Sequence, residues 1–195
     1  MYKVSLKKAL VVIVMTVMIL ACSLFTPRNS TANAKAEEQA VYAALLDGAK
    51  MAVISEKTAI SISSENIDST LEYVRTNLSS GISADTLTSF KTRNDQYYPL
   101  SPDMQLGLEY KLINQQEMQE IFNGSGKGWD TFYERYPDSP GIFTFSRVGF
   151  NSSMDEALVY VGNQSNWLAG TGYYVLLKKI AGHWQVKDQI MVWIS

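Results

Sequence analysis

The chain has 195 residues, of which 46% are hydrophobic, 18% charged and 11% aromatic. This size suits one globular domain with its own core, together with a targeting segment. The 17 basic and 19 acidic residues give a formal charge of −2, so no broad cationic face and no nucleic-acid partner is expected. With one histidine, His183, and one cysteine, Cys22, no zinc site of His and Cys ligands is expected, and no cofactor is expected.

The N-terminal residues are typical of an export signal. Lys3, Lys7 and Lys8 precede an apolar run from Ala9 to Ala21. The run is too short for a comfortable membrane span and has the length of a signal-peptide core. Residues 1–21 are therefore predicted to be a signal peptide.

Cys22 follows this core directly, and the segment "ILAC" resembles a bacterial lipobox, in which the signal is cut before a cysteine that is then acylated. Two alternatives are cleavage after "ANA" (Ala32 to Ala34), which would release a soluble protein, and an uncleaved N-terminal anchor. The spacing and the uniqueness of the cysteine favour the lipoprotein. All three interpretations place the domain outside the cytoplasm. The lipoprotein interpretation anchors it to the bacterial cell membrane.

The remaining elements follow in chain order. Residues 22–36 are predicted to form a polar tether that carries the lipidated cysteine, and residues 37–195 a single domain. Apolar periodicity predicts helices over 37–50, 64–78, 83–94 and 115–122, and a helical turn over 129–136. Ser64 is a candidate N-cap for the second of these helices. Strands are predicted over 51–61 and 108–113.

From Gly141 the pattern changes to strands. Four runs, 142–150, 156–161, 173–179 and 184–194, are separated by turn residues, which predicts an antiparallel meander. In the last run five apolar side chains are expected on one face, interrupted by Asp188: Trp184, Val186, Ile190, Val192 and Ile194. The predicted fold class is α+β, with N-terminal helices packed on a curved C-terminal antiparallel sheet.

Several short motifs lie in this C-terminal part: "FSRVGFN", "ALVYVG", "GTGYYVLLKK" and "VWIS". Together they resemble a family of uncharacterised exported bacterial proteins, and the resemblance implies no activity. The order of helices and sheet is also similar to the ketosteroid-isomerase-like, nuclear-transport-factor-like cone. That resemblance implies a cone-like sheet whose concave side forms a pocket with the helices.

The pair Ser146–Arg147 lies within one predicted strand. Alternation places Ser146 with Ile142, Val148 and Phe150 on the core side, and Arg147 on the opposite face. Arg147 is a candidate to clamp an anionic ligand. The alternative is a structural ion pair with Glu109, Glu156 or Asp188.

Other candidates follow from the cone resemblance. Asp188, or Glu109, could act as a general base if its pKa were raised, with Arg147 or Tyr160 orienting the substrate. Tyr160 and Trp129 are also candidate ligand-binding residues. His183 is expected in a surface turn between the last two strands, because "AGHW" is typical of a tight hairpin.

These patterns predict an exported, membrane-tethered binding domain, monomeric or homodimeric, for a small apolar ligand, a peptide or an envelope protein. The alternative is a cone-fold enzyme, isomerase-like or hydrolase-like, that uses a carboxylate base.

Overall fold

A computed structural model describes residues 30–59, 67–123 and 127–195. In this part of the chain the α+β prediction is confirmed. The helices are α1 (Ser30–Leu45), α2 (Ile67–Asn77), α3 (Ala84–Arg93), α4 (Gln115–Phe122) and α5 (Trp129–Arg135). The strands are β1 (Met51–Ser55), β2 (Glu109–Ile113), β3 (Ile142–Phe145), β4 (Gly149–Phe150), β5 (Glu156–Asn166), β6 (Ala169–Ile180) and β7 (His183–Ile194).

Most predicted elements are present, with shifted ends. Helix α1 begins at Ser30 rather than at 37, so residues 30–36 of the predicted tether are helical. The predicted signal peptide, Cys22 and the rest of the tether lie outside the described residues, as do Ser64 and the end of the strand predicted over 51–61. In the described ranges, no helix combines the length and apolar character needed to cross a membrane.

The sheet is mixed. Its strand order is β2-β1-β3-β5-β6-β7, and β4 pairs with β5 beside β3. Strands β3 to β7 pair in antiparallel fashion, which confirms the predicted meander. Strand β1 runs parallel to both β2 and β3, an arrangement that was not predicted from the sequence.

Helix α1 covers one face of the sheet. Val41 and Tyr42 of α1, and Leu46 directly after its last residue, are fully or almost fully buried. They pack against a cluster that includes Ile54 and Phe145. Since this burial removes large apolar side chains from water, it supplies much of the stabilisation of the N-terminal part of the domain.

Two helix pairs cover the opposite face. Helices α2 and α3 pack over the β5–β7 side, in a cluster that contains Val74, Phe90 and Tyr174. Helices α4 and α5 pack over the β1–β2 side, where Ile121 and Phe132 are buried. The middle strands between these two pairs keep part of their surface open.

Two β-bulges in β7 change which side chains share a face. A register shift lies between Leu176 and Leu177 of β6. Trp184 consequently packs on the α1 side, whereas Ile190 packs on the other side. The expectation that both share one face was therefore wrong, because a bulge inserts an unpaired residue and reverses the alternation.

The chain also breaks its alternation at Ser146. The Ser146 N–H donates to the carbonyl of Tyr160 at 2.9 Å, and its hydroxyl accepts from the Tyr160 N–H at 2.8 Å. The hydroxyl thus replaces a backbone carbonyl in the ladder. Ile142 packs beside α4 and α5, whereas Val148 packs on the α1 side, so the expected common face does not exist.

Candidate functional site

A cavity of about 560 Å³ lies on the open strip between the two helix pairs. Its floor consists of residues that alternate along the three middle strands and so face the same side. They are Ser55 of β1, Ile142 and Thr144 of β3, and Tyr160, Gly162 and Gln164 of β5. A cavity of this size accommodates a small organic molecule.

Aromatic side chains form much of the wall. Phe122 and Trp129 meet edge to face, with ring centroids 4.9 Å apart. Trp167, in the turn between β5 and β6, contacts Phe122 at 5.7 Å. Met118 adds a flexible thioether side chain. The remaining wall residues include the neutral amides of Gln115, Gln119, Asn123 and Asn163.

Trp193 closes the β7 side of the cavity, and glycines make room for it. A Cβ at Gly172 would lie only 2.0 Å from the Trp193 Nε1, and one at Gly170 would lie 2.9 Å from its six-membered ring. The second bulge of β7 lies opposite the step from Gly172 to Tyr173 in β6, and it places Trp193 opposite Gly172. Without the bulge, alternation would direct this indole to the other face of the sheet.

Tyr160 is held by this indole. The Trp193 Nε1–H donates to the Tyr160 hydroxyl at 2.8 Å. Burial raises the pKa of Tyr160, and the indole hydrogen bond opposes that shift only in part. The phenol is therefore protonated at neutral pH and retains its own O–H as a donor.

The Trp129 side chain is 5% exposed, and its Nε1 has no hydrogen-bond partner among the described residues. A buried indole N–H without an acceptor is costly, and such groups in native structures need an explanation. A ligand oxygen that reached this N–H would remove the cost.

The described lining contains no aspartate, glutamate, histidine, lysine or arginine. Its only titratable side chain is that of Tyr160. The cavity therefore presents aromatic surface, neutral amides and hydroxyls, and it lacks a counter-charge for an ion.

Trp129 and Tyr160, the two aromatic candidates from the sequence, both line this cavity. Trp167 and Trp193 were not singled out as ligand-binding residues. The sequence holds one signal for Trp193: Gly170 and Gly172 alternate on a strand that is otherwise rich in large side chains. Glycines at that spacing indicate that a bulky group approaches the backbone from one side.

Arg147 does not line the cavity. Its Nε donates to Oε1 of Glu38 in α1 at 2.8 Å, and its guanidinium lies 5.2 Å from the centre of the Tyr98 ring. Arg147 therefore forms an ion pair, the type of contact that the alternative interpretation proposed. Its partner, however, is Glu38 rather than Glu109, Glu156 or Asp188.

The candidate bases also lie elsewhere. Asp188 accepts from the Ser80 N–H and the Ser79 hydroxyl, both at 2.9 Å. The Ser80 hydrogen bond is the main cause of a lowered pKa for Asp188, whereas the predicted base role required a raised one. Glu109 is exposed at the start of the edge strand β2. His183 is exposed next to the β6–β7 turn, as expected.

No protein-family model, curated protein or solved structure matches this chain. Over residues 30–59, 67–123 and 127–195, no group of three or more His, Cys, Asp or Glu side chains is placed to hold a metal ion.

Proposed function

We propose that this protein is a binding module whose cavity takes one small, uncharged, largely apolar molecule. The observation that carries the proposal is the cavity itself: about 560 Å³ of space bounded by four indole and phenyl groups and a few neutral polar groups. Ligand sites of soluble proteins combine apolar walls with a small number of polar groups in this way.

The absence of charge in the described lining argues for a neutral ligand. An ion that entered would lose its hydration without gaining a counter-charge, which is unfavourable in a largely apolar enclosure. The Trp129 N–H and the Tyr160 O–H are donors. A neutral molecule with one or two oxygen acceptors on an apolar or aromatic body suits this lining best.

The alternative of a cone-fold enzyme requires a base at the substrate. Neither Asp188 nor Glu109 lines the cavity, and the raised pKa of Tyr160 favours its protonated form. A phenol in that state donates a hydrogen bond and does not abstract a proton at neutral pH. The lining therefore favours binding over carboxylate-based catalysis.

We also propose that the protein is exported and anchored through Cys22, on the strength of the apolar run from Ala9 to Ala21 and the lipobox-like "ILAC". Metabolic labelling with a fatty acid tests this. Label should be incorporated into the natural chain and lost in Cys22→Ala. Equal labelling of both would contradict the anchor.

The ligand class can be tested with two probes of matched shape. N-phenyl-1-naphthylamine is neutral, whereas 1-anilinonaphthalene-8-sulfonate carries a sulfonate on the same aromatic skeleton. Their fluorescence is titrated against the protein. We expect one neutral molecule to bind per chain, at least about tenfold more tightly than the anion, which corresponds to about 1.4 kcal/mol.

Two variants show whether the probe occupies the cavity. Thr144→Phe fills the floor and should abolish binding. Thr171→Phe introduces the same side chain at another half-buried sheet position outside the lining, and binding should persist. Equal binding to both variants, or no saturable binding of the neutral probe, would refute the proposed function.

A further inference from the structure

The turn between β5 and β6 carries exposed apolar side chains. Trp167 is 59% exposed and Leu168 is 86% exposed. Ile194, at the end of β7, is 70% exposed and lies close by, because the neighbouring Ser195 and Gly170 exchange both backbone hydrogen bonds. We call Trp167, Leu168 and Ile194 the apolar tip.

The hairpin that presents this tip is uncharged. Residues 157–177 contain no aspartate, glutamate, lysine or arginine. Exposed positions near the turn are occupied by Gln164, Asn166 and Ala169 instead. Solvated hairpins commonly carry charges at such positions, which also discourage association. The tip can therefore leave water without desolvating a charged side chain.

The backbone of the turn is partly satisfied from within the protein. The Tyr133 hydroxyl donates to the carbonyl of Ser165 at 2.8 Å, and the Trp167 N–H donates to the Asn166 side-chain oxygen at 2.7 Å. The Ser165 hydroxyl donates to the carbonyl of Ala169 at 3.1 Å. In a low-dielectric environment unsatisfied backbone groups are the main cost, and these hydrogen bonds reduce it.

Trp167 is also held in place. Its ring packs against Phe122, and it covers Gly128 so closely that a Cβ there would lie 2.6 Å from the indole. A side chain that is already ordered loses little conformational entropy when it binds a surface. Tryptophan is moreover the residue type that favours the boundary between hydrocarbon and water.

We propose that the apolar tip contacts the surface of a phospholipid bilayer, with Leu168 and the exposed edge of Trp167 entering the region between headgroups and acyl chains. The hairpin has no charge with which to select anionic headgroups, so a zwitterionic surface suffices. A second copy of the chain is a poorer partner, because three side chains cover far less than the roughly 800 Å² per subunit of a standard interface.

The contact would have a consequence for the cavity. Trp167 belongs both to the apolar tip and to the cavity wall. A neutral, apolar ligand dissolved in the bilayer would then meet the protein at the edge of its binding site. The lipid contact itself does not depend on whether the cavity binds anything.

The test uses the full chain reconstituted in phosphatidylcholine vesicles, with and without bromine on the acyl chains. Bromine quenches tryptophan fluorescence at contact. We expect brominated lipid to quench part of the emission, and Trp167→Phe to lose most of that quenched component. Leu168→Ser should reduce it. Ile180→Ser, at the opposite end of β6 and 51% exposed, should leave it unchanged.

Trp184→Phe is the second control. Because Trp184 is 7% exposed and packs on the α1 side, this variant should leave the quenched component unchanged. Quenching that persists in Trp167→Phe would overturn the proposal. If that residual quenching then disappeared in Thr144→Phe, it would report an acyl chain inside the cavity, which supports the binding function but not the surface contact. A concentration-dependent blue shift of Trp167 without lipid would also overturn it, in favour of self-association.

Discussion

Glu38 provides the sharpest test of how the N-terminal helix is held on the sheet. Its Oε1 accepts from the Arg147 Nε at 2.8 Å, the Val148 N–H at 2.9 Å and the Tyr42 hydroxyl at 3.3 Å. Its Oε2 lies 3.1 Å from the Arg93 Nη2, an ion pair without hydrogen-bond alignment. The Glu38 side chain is only 9% exposed, and its carboxylate forms ion pairs with both Arg93 and Arg147.

Glu38→Gln keeps the shape of this side chain and removes its charge. The two arginine side chains, 25% and 27% exposed, would then face each other without a counter-charge. Breaking a buried ion pair costs about 3–5 kcal/mol, and the partial exposure of the arginines places the expected loss at the lower end, about 3 kcal/mol. For a domain of this size the melting temperature should fall by roughly 6–12 °C.

Thermal unfolding followed by circular dichroism measures this change. Glu72→Gln is the matched control, because Glu72 pairs with Arg75 at 2.6 Å while the side chains are 61% and 57% exposed. Exposed pairs contribute about 1 kcal/mol or less. Similar changes in melting temperature for the two variants would refute the assignment of Glu38 as the charge that fixes α1 to the sheet.

Three further predictions concern other elements. Burial disfavours the ionised form of Glu156, but hydrogen bonds from Lys178 and hydroxyl groups outweigh it and lower its pKa to about 2. Its contribution to stability is thus present above its unfolded pKa of about 4.3 and lost as the pH falls towards 2, and Glu156→Gln should flatten that part of the stability–pH curve. Gly172→Ala should displace Trp193, lower the free energy of unfolding by about 1–3 kcal/mol and shift tryptophan emission. Unchanged emission would contradict the close packing of Trp193 on Gly172. Asn114→Ala removes the side-chain oxygen that accepts the first-turn N–H of α4 at 2.8 Å, and urea unfolding should show a loss of about 1 kcal/mol.

The local elements were largely predictable from the sequence. Helix α4 has the predicted bounds, because its apolar spacing is a local signal and the Asn114 side chain caps its first turn in the structure. The β5–β7 meander was equally clear from turn residues between β-branched runs. The position of β1 in the sheet was not predictable. Its parallel pairing with β2 and β3 joins segments that no turn connects, so the pairing leaves no local sequence pattern.

The same difference between local signals and long-range contacts explains which residues of the site could be predicted. Trp129 and Tyr160 could be proposed because aromatic residues commonly line pockets. Trp193 and the partner of Arg147 could not be assigned in the same way. The first depends on a bulge that reverses strand alternation, and the second lies 109 residues away, in a helix of another segment.

The interior position of β1, between β2 and β3, also bears on how the chain folds. Its partners β2 and β3 follow it at a distance, since Val53 pairs with Lys111 and with Ile142, 58 and 89 residues later. The α1 cluster is completed only by residues of β6 and β7. The β5–β7 meander needs only adjacent segments and closes short loops, so it should form early. During synthesis, which proceeds from the N-terminus, α1 and β1 emerge first and must wait for the last strands. Unpaired β1, with its buried run Ala52, Val53 and Ile54, is therefore the segment most in need of protection from aggregation before the chain is complete.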